Sequence, residues 1–473
     1  MLTLIHVIIS YLKLFILKLY FDGLRFVLWS LNMIDQKQLL EDAVSTALNI
    51  ANDLGVSEAE VALGKSAGIS VNTRLGEVEN IEFNRDGAMG ISVYIDHRKG
   101  SASTADLSKE AIASTVKAAV DIAKYTSQDP YAGILDKNLL EDNPVDLDLY
   151  HASDKNTDEL LAIAKQCEDI ALSADKRIVN SDGAAVNSHS SVHVYGNSHG
   201  FLESYASSRH SMSCVLIAQE GDEMQRDYSY SSARDFNELF STKWVAEEAV
   251  KRTVDRLGAR KIPTQESPVL FCPEMATSLF GHLVSGISGA SLYKKSSFLL
   301  DSIDTQIFPE WMKITEDPHV MKGIASSPFD QEGGRTIKRD IIDNGFLQTY
   351  LLTGYAARKM GLTSTGHAGG IHNWFVKDTG LDLAGLLKEM GTGLFVTELM
   401  GQGVNMVTGD YSRGASGFWV ENGVIAYTVH EIMIAGNLKD MFMNIDAIGS
   451  DVDVRSSLKT GSILINKMKI AGE

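Results

Sequence analysis

The chain has 473 residues, of which 44% are hydrophobic and 22% are charged, and its formal net charge is −18. This length exceeds one compact core and predicts two or three domains, and the hydrophobic fraction excludes disorder as the main state. A chain with this negative charge gains little binding free energy from the phosphate backbone of a nucleic acid. We therefore expect no nucleic-acid partner. Its three cysteines, which form no CxxC pair, indicate a reducing compartment.

The first 32 residues are more apolar than any later segment. Four charged side chains interrupt them, whereas a membrane-spanning helix needs about 20 nearly uncharged residues. No small-residue cleavage site of a secretory signal follows. We interpret residues 1–32 as an extension outside the native protein, with Met33 as the start, and we expect no stable membrane association. A membrane anchor and a buried helix are the alternatives.

Residues 33–260 alternate between helix and strand patterns and predict an α+β N-terminal domain of antiparallel sheet and helices. Apolar residues at helical spacing predict one helix over 36–54 and others that Ser108 and Thr157 cap, with a fourth from about 242 to 256. Period-two alternation predicts short antiparallel strands with glycines at their turns, over 58–65, 68–74, 77–84, 88–95 and between 177 and 230.

A change in composition near residue 260 indicates a domain boundary. Three of the eight prolines fall within residues 263–273, and glycine becomes more frequent after them. The pairs Asn344-Gly345 and Asn422-Gly423 predict β-hairpins. We expect residues 265–473 to form a β-rich domain, built as a barrel or a sandwich, because so many strand edges need partners.

The sequence lacks the phosphate loop, the GxSxG elbow and a GxGxxG motif between strand and helix. His430-Glu431 resembles the start of a zinc-binding HExxH helix, but Ile434 replaces the second histidine and the segment is typical of a strand. His189 and His193 lie about 13 Å apart on a strand, too far to share one metal ion.

His367 and His372 flank the segment Ala368-Gly369-Gly370. A flexible loop of this kind can bring both imidazoles to one metal ion, although hydrogen bonding within the loop or contact with a peptide is the interpretation we favour. A further helix begins near Pro273 and contains Gly281 and Gly286, each costing about 1 kcal/mol relative to alanine. We expect another backbone to approach these glycines closely.

Long blocks of the sequence resemble the PmbA (TldE) branch of the TldD/PmbA family of bacterial metallopeptidases. The resemblance covers essentially all of 33–473. It implies a cytoplasmic heteromeric peptidase in which this chain joins a TldD-like catalytic subunit and unfolded peptides are degraded or trimmed, among them a microcin precursor and a labile antitoxin. The blocks include GISVNTRLGEVENIEFNRDGAMGISVY (68–94), FGHLVSGISGASLYKKSSFLLDS (280–302), SSPFDQEGGRT (326–336), STGHAGGIHNW (364–374) and TGDYSRGASGFWVENG (408–423).

The family's zinc motif does not carry over to this chain. TldD-like chains have HExxxH on a helix and a late cysteine, whereas the matching positions here hold Gly281, His282, Gly286 and Thr460. Zinc needs three protein ligands and an open position for water. The resemblance therefore implies no catalytic residue and no metal in this chain, with zinc held by the TldD-like partner.

The leading hypothesis is a PmbA-like subunit that shapes the peptide channel and stabilises its TldD-like partner. One alternative is a self-sufficient metallopeptidase with its metal on His282, His367 or His372 and a nearby carboxylate. Another is a non-enzymatic module that binds unfolded peptides. The candidates for peptide contact are His367, His372, Trp374, Arg413 and Trp419.

Overall fold

The computed structural model describes residues 33–472, so the interpretation of residues 1–32 lies outside the described part of the chain. Its helices are α1 (Lys37–Asp53), α2 (Lys109–Tyr125), α3 (Thr157–Ala174), α4 (Thr242–Val254), α5 (Pro273–Gly286), α6 (Gly289–Tyr293), α7 (Gly354–Met360), α8 (Leu383–Met390) and α9 (Leu438–Met443). None of these helices is long and apolar enough to cross a membrane.

The first six strands form one antiparallel sheet with the order β3-β2-β1-β4-β5-β6. Along β1 every second residue points into the apolar core that helices α1–α4 complete, as Val61, Ile69 and Val71 do. The strands are β1 (Glu58–Arg74), β2 (Glu77–Ile95), β3 (Arg98–Thr104), β4 (Ile178–Asn197), β5 (Leu202–Glu220) and β6 (Glu223–Ala233).

The prediction of four short strands at the start of this sheet was wrong. Each pair is one continuous strand, because Gly64 and Gly68 lie within the β1–β2 ladder, opposite Ala88 and Asn84. A Cβ atom at Gly68 would lie 1.9 Å from Nδ1 of His189 on the neighbouring strand. Glycine at this position therefore admits a cross-strand side chain and makes no turn.

Helix caps explain where two helices of this domain begin. The Ser108 hydroxyl accepts the Ala111 N–H, as predicted. The cap of α3 is Asn156 and not the predicted Thr157: the Asn156 side chain accepts the Glu159 N–H, and the Glu159 carboxylate accepts the Asn156 N–H. This reciprocal pair satisfies two N–H groups at once, which a threonine one residue later does not do.

The remaining strands form two further sheets, and one of them closes into a barrel. The order of the strands in the barrel is β14-β13-β12-β7-β17, and pairing of β17 with β14 closes it. Strand β15 also pairs with β17, outside the closed ring. The second sheet has the order β10-β9-β8-β11-β16. The strands are β7 (Gln265–Phe271), β8 (Ile314–Asp317), β9 (Arg339–Asp343), β10 (Phe346–Leu347), β11 (Asn373–Val376), β12 (Gly393–Met400), β13 (Asp410–Glu421), β14 (Val424–Asn437), β15 (Ile445–Ile448), β16 (Leu458–Lys459) and β17 (Ile463–Ala471).

The closed five-stranded barrel and the N-terminal antiparallel sheet with its helices confirm the predicted fold class. Both Asn-Gly pairs form hairpin turns: Asn344-Gly345 joins β9 to β10, and Asn422-Gly423 joins β13 to β14. All four residues have positive φ, which is the conformation that such two-residue hairpin loops require.

The N-terminal sheet and the C-terminal elements pack directly against each other. The Arg358 guanidinium on α7 donates to the carbonyl oxygens of Tyr131, Gly133 and Ile134. Phe329 inserts its ring among side chains of the sheet, with its centroid 5.3 Å from that of Phe201. The interface therefore combines apolar contacts with charged side chains that satisfy backbone carbonyl groups.

Candidate functional site

Helix α5 lies between helix α4 and the C-terminal strands, and its first turn is fixed by ion pairs. Pro273 occupies the first turn, where its missing N–H is no loss. The Glu274 carboxylate accepts two hydrogen bonds from Arg252, at 2.8 and 3.1 Å, and one from Arg455 at 2.7 Å. These contacts set the direction of the helix that carries the positions of the family's zinc motif.

The two glycines of this helix have different surroundings. A Cβ atom at Gly281 would meet no atom within 4 Å, so the predicted close approach of a backbone is wrong there. At Gly286 the neighbours are side chains: a Cβ atom would lie 3.1 Å from both Leu299 Cδ1 and Phe298 Cε1. One motif position therefore faces open space, and the other is packed.

His282 lies beside Arg413 of strand β13. Its ring packs edge-on against Tyr411, with centroids 5.9 Å apart at 77°, and its Nε2 atom is buried without a hydrogen-bond partner. Arg413 donates from Nη1 to the Ser278 hydroxyl at 3.0 Å, while its Nε is likewise buried and unpartnered. Burial first, and then the charge of Arg413, lower the pKa of His282.

This set of residues does not fit a zinc ion. The two glycines have no donor atom, the Arg413 cation stands next to the one imidazole, and the buried Thr460 hydroxyl donates to the Gly461 carbonyl at 3.1 Å. Across residues 33–472, no three His, Cys, Asp or Glu side chains are placed together to hold a metal ion.

His367 and His372 come together with Trp374 around a carboxylate, Glu316 of strand β8, which is fully buried. His367 Nε2 donates to Glu316 Oε2 at 2.8 Å, and the His372 N–H and Trp374 Nε1–H donate to Oε1 at 2.9 and 3.0 Å. Burial acts to raise the pKa of the Glu316 carboxyl, but the bonds from His367 and from the His372 N–H hold it down at about 2. Glu316 is thus the charged centre of a fully hydrogen-bonded cluster, which we call the Glu316 cluster.

The sequence candidates for peptide contact therefore differ in exposure. His367, His372 and Trp374 are buried in the Glu316 cluster, and Trp419 is buried in the core of the C-terminal domain. Contact of these four with a peptide, which remains a prediction, would require that region to open. Arg413 keeps part of its surface exposed.

A cleft of about 1150 Å³, which the sequence did not predict, lies between the N-terminal sheet and the C-terminal elements. In its wall, Glu60 accepts hydrogen bonds from the Tyr94 and Tyr195 hydroxyls at 2.8 and 3.0 Å. Glu332 accepts one from the Gly354 N–H at 2.7 Å. Burial, helped by the charges of Asp330 and Glu60, raises the pKa of Glu332 to about 7. The only sequence signal was its place in the block SSPFDQEGGRT.

A second groove, of about 730 Å³, lies between helix α4, the start of α5 and the barrel. Its apolar wall includes Phe240, Trp244 and Phe418, and its charged wall includes Arg252 and Arg455. Because these arginines are held by Glu274, the groove presents fixed charges beside exposed aromatic surface. Such a combination suits an extended peptide with apolar side chains.

Known proteins resemble this chain over nearly its whole length. Three family models match it: the PmbA/TldA metallopeptidase domain 1 (59–123), central domain (150–257) and C-terminal domain (264–472). "Metalloprotease PmbA" of Escherichia coli O157:H7 is 57% identical over 439 residues, covering 93% of this chain and 97% of that protein.

Two solved structures have similar folds. A protein of Bacteroides thetaiotaomicron described as a proposed modulator of DNA gyrase is 28% identical, covers 91% of this chain and 98% of its own, and has a TM-score of 0.87. TldE of Thermococcus kodakarensis is 22% identical, with coverage of 91% and 100% and a TM-score of 0.77. The second likeness is one of fold alone.

Proposed function

The chain belongs to the PmbA/TldD family of metallopeptidases, and from this premise we propose that it is a subunit of a heteromeric peptidase that holds no zinc of its own. One observation carries the proposal. On helix α5, the positions of the family's two histidine ligands are Gly281 and Gly286, and a guanidinium stands beside His282. A metallopeptidase chain without a metal site needs a partner that has one.

In this proposal a TldD-like chain holds the zinc, which activates the water that attacks the peptide bond. The residues of this chain bind and orient the unfolded peptide. The groove beside helix α4 supports this role because it has a volume of about 730 Å³ and carries aromatic surface next to fixed charges. Strand edges near such a groove supply backbone hydrogen bonds to an extended peptide.

We also place this peptidase in the cytoplasm. Cys167, Cys214 and Cys272 are free thiols, and the first two are fully buried. Free thiols of this kind are the rule in a reducing compartment. The substrates in the proposal are unfolded polypeptides, including the microcin precursor and labile antitoxin associated with the family.

The test compares zinc content and peptide cleavage, with the chain expressed from Met33 alone and together with the TldD-like chain of the same organism. We expect near-zero zinc and no cleavage of an unstructured fluorogenic peptide by the chain alone. The pair should contain zinc and cleave the peptide. One zinc per chain that survives mild chelation, together with cleavage by the isolated chain, would contradict the proposal.

One double variant and one binding measurement separate the proposal from the alternatives. The double variant His367→Ala/His372→Ala removes the ligands of the self-sufficient enzyme; any zinc it loses relative to the wild-type chain would favour that enzyme. Peptide binding without a partner, combined with no cleavage by the mixed chains, would favour the non-enzymatic module. The matched control is His97→Ala, an exposed histidine of the N-terminal domain.

A further inference from the structure

Helix α5 has a polar face along its middle and last turns. Ser278, Gly281, His282 and Ser285 follow the spacing i, i+3, i+4, i+7 and so lie on one side of the helix. The opposite side is buried through Leu279, Phe280, Leu283 and other residues. The polar side is lined by small residues, and a Cβ atom placed on Gly281 would meet no atom within 4 Å.

Arg413 faces this side of the helix from strand β13, through its bond to Ser278. Tyr411 lies two residues earlier on the same face of the strand and packs on the His282 ring. Four polar side chains from two elements therefore converge: Ser278, His282, Tyr411 and Arg413. We call them the Arg413 cluster.

The Arg413 cluster contains two of the four buried, unpartnered polar atoms of residues 33–472. Leaving such an atom without a partner is unfavourable, and more so for a charged group. Arg413 Nε always carries a proton, and His282 Nε2 carries one in one of the two neutral tautomers of the ring. The cluster thus contains a charged donor without an acceptor, beside an imidazole nitrogen that can act as a second donor.

The charge of Arg413 is also unbalanced. Other partly buried arginines near helix α5 pair with carboxylates, as Arg252 and Arg455 do with Glu274 and Arg256 does with Asp227. Among the described residues, Arg413 forms no ion pair with a carboxylate, and its hydrogen-bond partners are the neutral hydroxyls of Ser278 and Tyr411. A guanidinium with free N–H groups in a partly dry site is well suited to bind a planar anion through two parallel hydrogen bonds.

We propose that the Arg413 cluster binds a carboxylate of a peptide. This inference rests on the proposed function and names a ligand group for helix α5, the element where related chains hold zinc. Arg413 supplies the charge and the forked donors, His282 Nε2 a further donor, and the open space beside Gly281 admits the group. The carboxylate comes either from the C-terminus of the peptide or from an acidic side chain.

The experiment measures fluorescence anisotropy of labelled, unstructured decapeptides with the full chain, alone and with the TldD-like chain. Three peptides share one sequence without acidic residues: a free C-terminal acid, a C-terminal amide, and the amide with one internal glutamate. We expect the amide to bind at least tenfold more weakly than one of the two carboxylate peptides. Which of the two binds more tightly identifies the source of the carboxylate.

Arg413→Gln should remove this discrimination, so that all three peptides bind equally weakly. Arg413→Lys keeps the positive charge but lacks the forked N–H groups of the guanidinium. This variant should retain only part of the discrimination between the peptides. Arg226→Gln, which removes an exposed arginine of the N-terminal sheet, is the matched control and should behave as wild type. Equal binding of all three peptides by the wild-type chain, no binding of any, or discrimination that survives in Arg413→Gln would overturn the inference.

A second measurement needs no variant and so does not depend on whether Arg413→Gln folds. The ring resonances of His282, observed by NMR in the wild-type chain, should shift on titration with the preferred carboxylate peptide and remain in place with the amide. Unchanged resonances with every peptide would count against the inference. Zinc content and cleavage by the pair of chains are separate readouts, so the inference can fail while the proposed function stands.

Discussion

The Glu316 cluster and the Arg413 cluster are both polar groups set into the C-terminal domain, yet their hydrogen bonding differs. Glu316 is a buried anion that accepts three hydrogen bonds. Arg413 is a partly buried cation that contacts two neutral hydroxyls, those of Ser278 and Tyr411, and its Nε is unpartnered. The identity of the residues therefore does not separate a structural cluster from a binding site. The balance of donors and acceptors does.

The order of the strands explains the difference. Trp374 of β11 stands directly opposite Glu316 of β8 in the ladder, so the sheet itself brings the indole N–H to the carboxylate. Arg413 of β13 is opposite Ile434, and no strand within residues 33–472 places an acidic side chain in an ion pair with it. In the first case the fold supplies the counter-groups, and in the second our proposal assigns that part to the carboxylate of a peptide.

The largest expected effect comes from removing the centre of the satisfied cluster. Glu316→Ala leaves the donors of His367, His372 and Trp374 buried without an acceptor, which should destabilise the protein by about 3–5 kcal/mol. The measurement is the midpoint of urea unfolding followed by tryptophan fluorescence. The exposed Glu310→Gln in the same domain should stay within about 0.5 kcal/mol of wild type. Equal midpoints for the two variants would refute the structural role of the cluster.

The next effect uses two buried carboxyls whose pKa values move in opposite directions. The pKa of Glu332 is raised from 4.5 to about 7, so its protonated form favours folding below pH 4.5 and this stability is lost as the pH rises through 7. At pH 8 the free energy of unfolding of Glu332→Gln should therefore exceed that of wild type by at most about 3 kcal/mol, which urea unfolding measures. At pH 4 the two proteins should be equally stable. A variant that is less stable than wild type at pH 8 would contradict this.

Glu316 gives the opposite pH dependence. Its pKa is lowered to about 2, so its contribution is present above pH 4.5 and is lost as the pH falls toward 2. Between these values the wild-type chain should lose stability faster than Glu316→Gln, by up to about 3 kcal/mol. Thermal melting at half-unit pH steps measures both slopes; parallel curves for the two proteins would show that Glu316 does not titrate this way.

The smallest effect concerns the two glycines of helix α5. Gly281→Ala adds a Cβ atom in open space and removes backbone entropy from the unfolded chain, so it should stabilise by about 0.5–1 kcal/mol. Gly286→Ala gains the same entropy but presses on Leu299 and Phe298 at 3.1 Å, so it should gain less or lose stability. Melting temperatures of the two variants test the difference, and a Gly286→Ala gain equal to that of Gly281→Ala would refute it.

Features that depend on neighbours in sequence could be predicted, and features that depend on distant pairing could not. Helices α1–α5, the Asn-Gly hairpins and the change from an antiparallel sheet with helices to a β-rich region follow from local periodicity and turn residues. The pairing of His367 and His372 in one loop was also visible. Their common acceptor Glu316 lies 51 residues before His367, and Arg413 lies 135 residues after Ser278. No local pattern connects such pairs, because the strand order that joins them is a property of the whole domain.

The pairing of β7 with β17 has a consequence for how the chain is made. Phe271 pairs with Ile463, so roughly 190 residues separate the two partners. At about 5–20 residues per second, roughly 10–40 s of synthesis pass after β7 has emerged and before its partner exists. Throughout that interval one edge of β7, with Val269, Leu270 and Phe271, stays unpaired. A nascent chain halted before β17 would therefore carry open edges on β7 and β14, the kind of surface on which unfinished chains associate with one another.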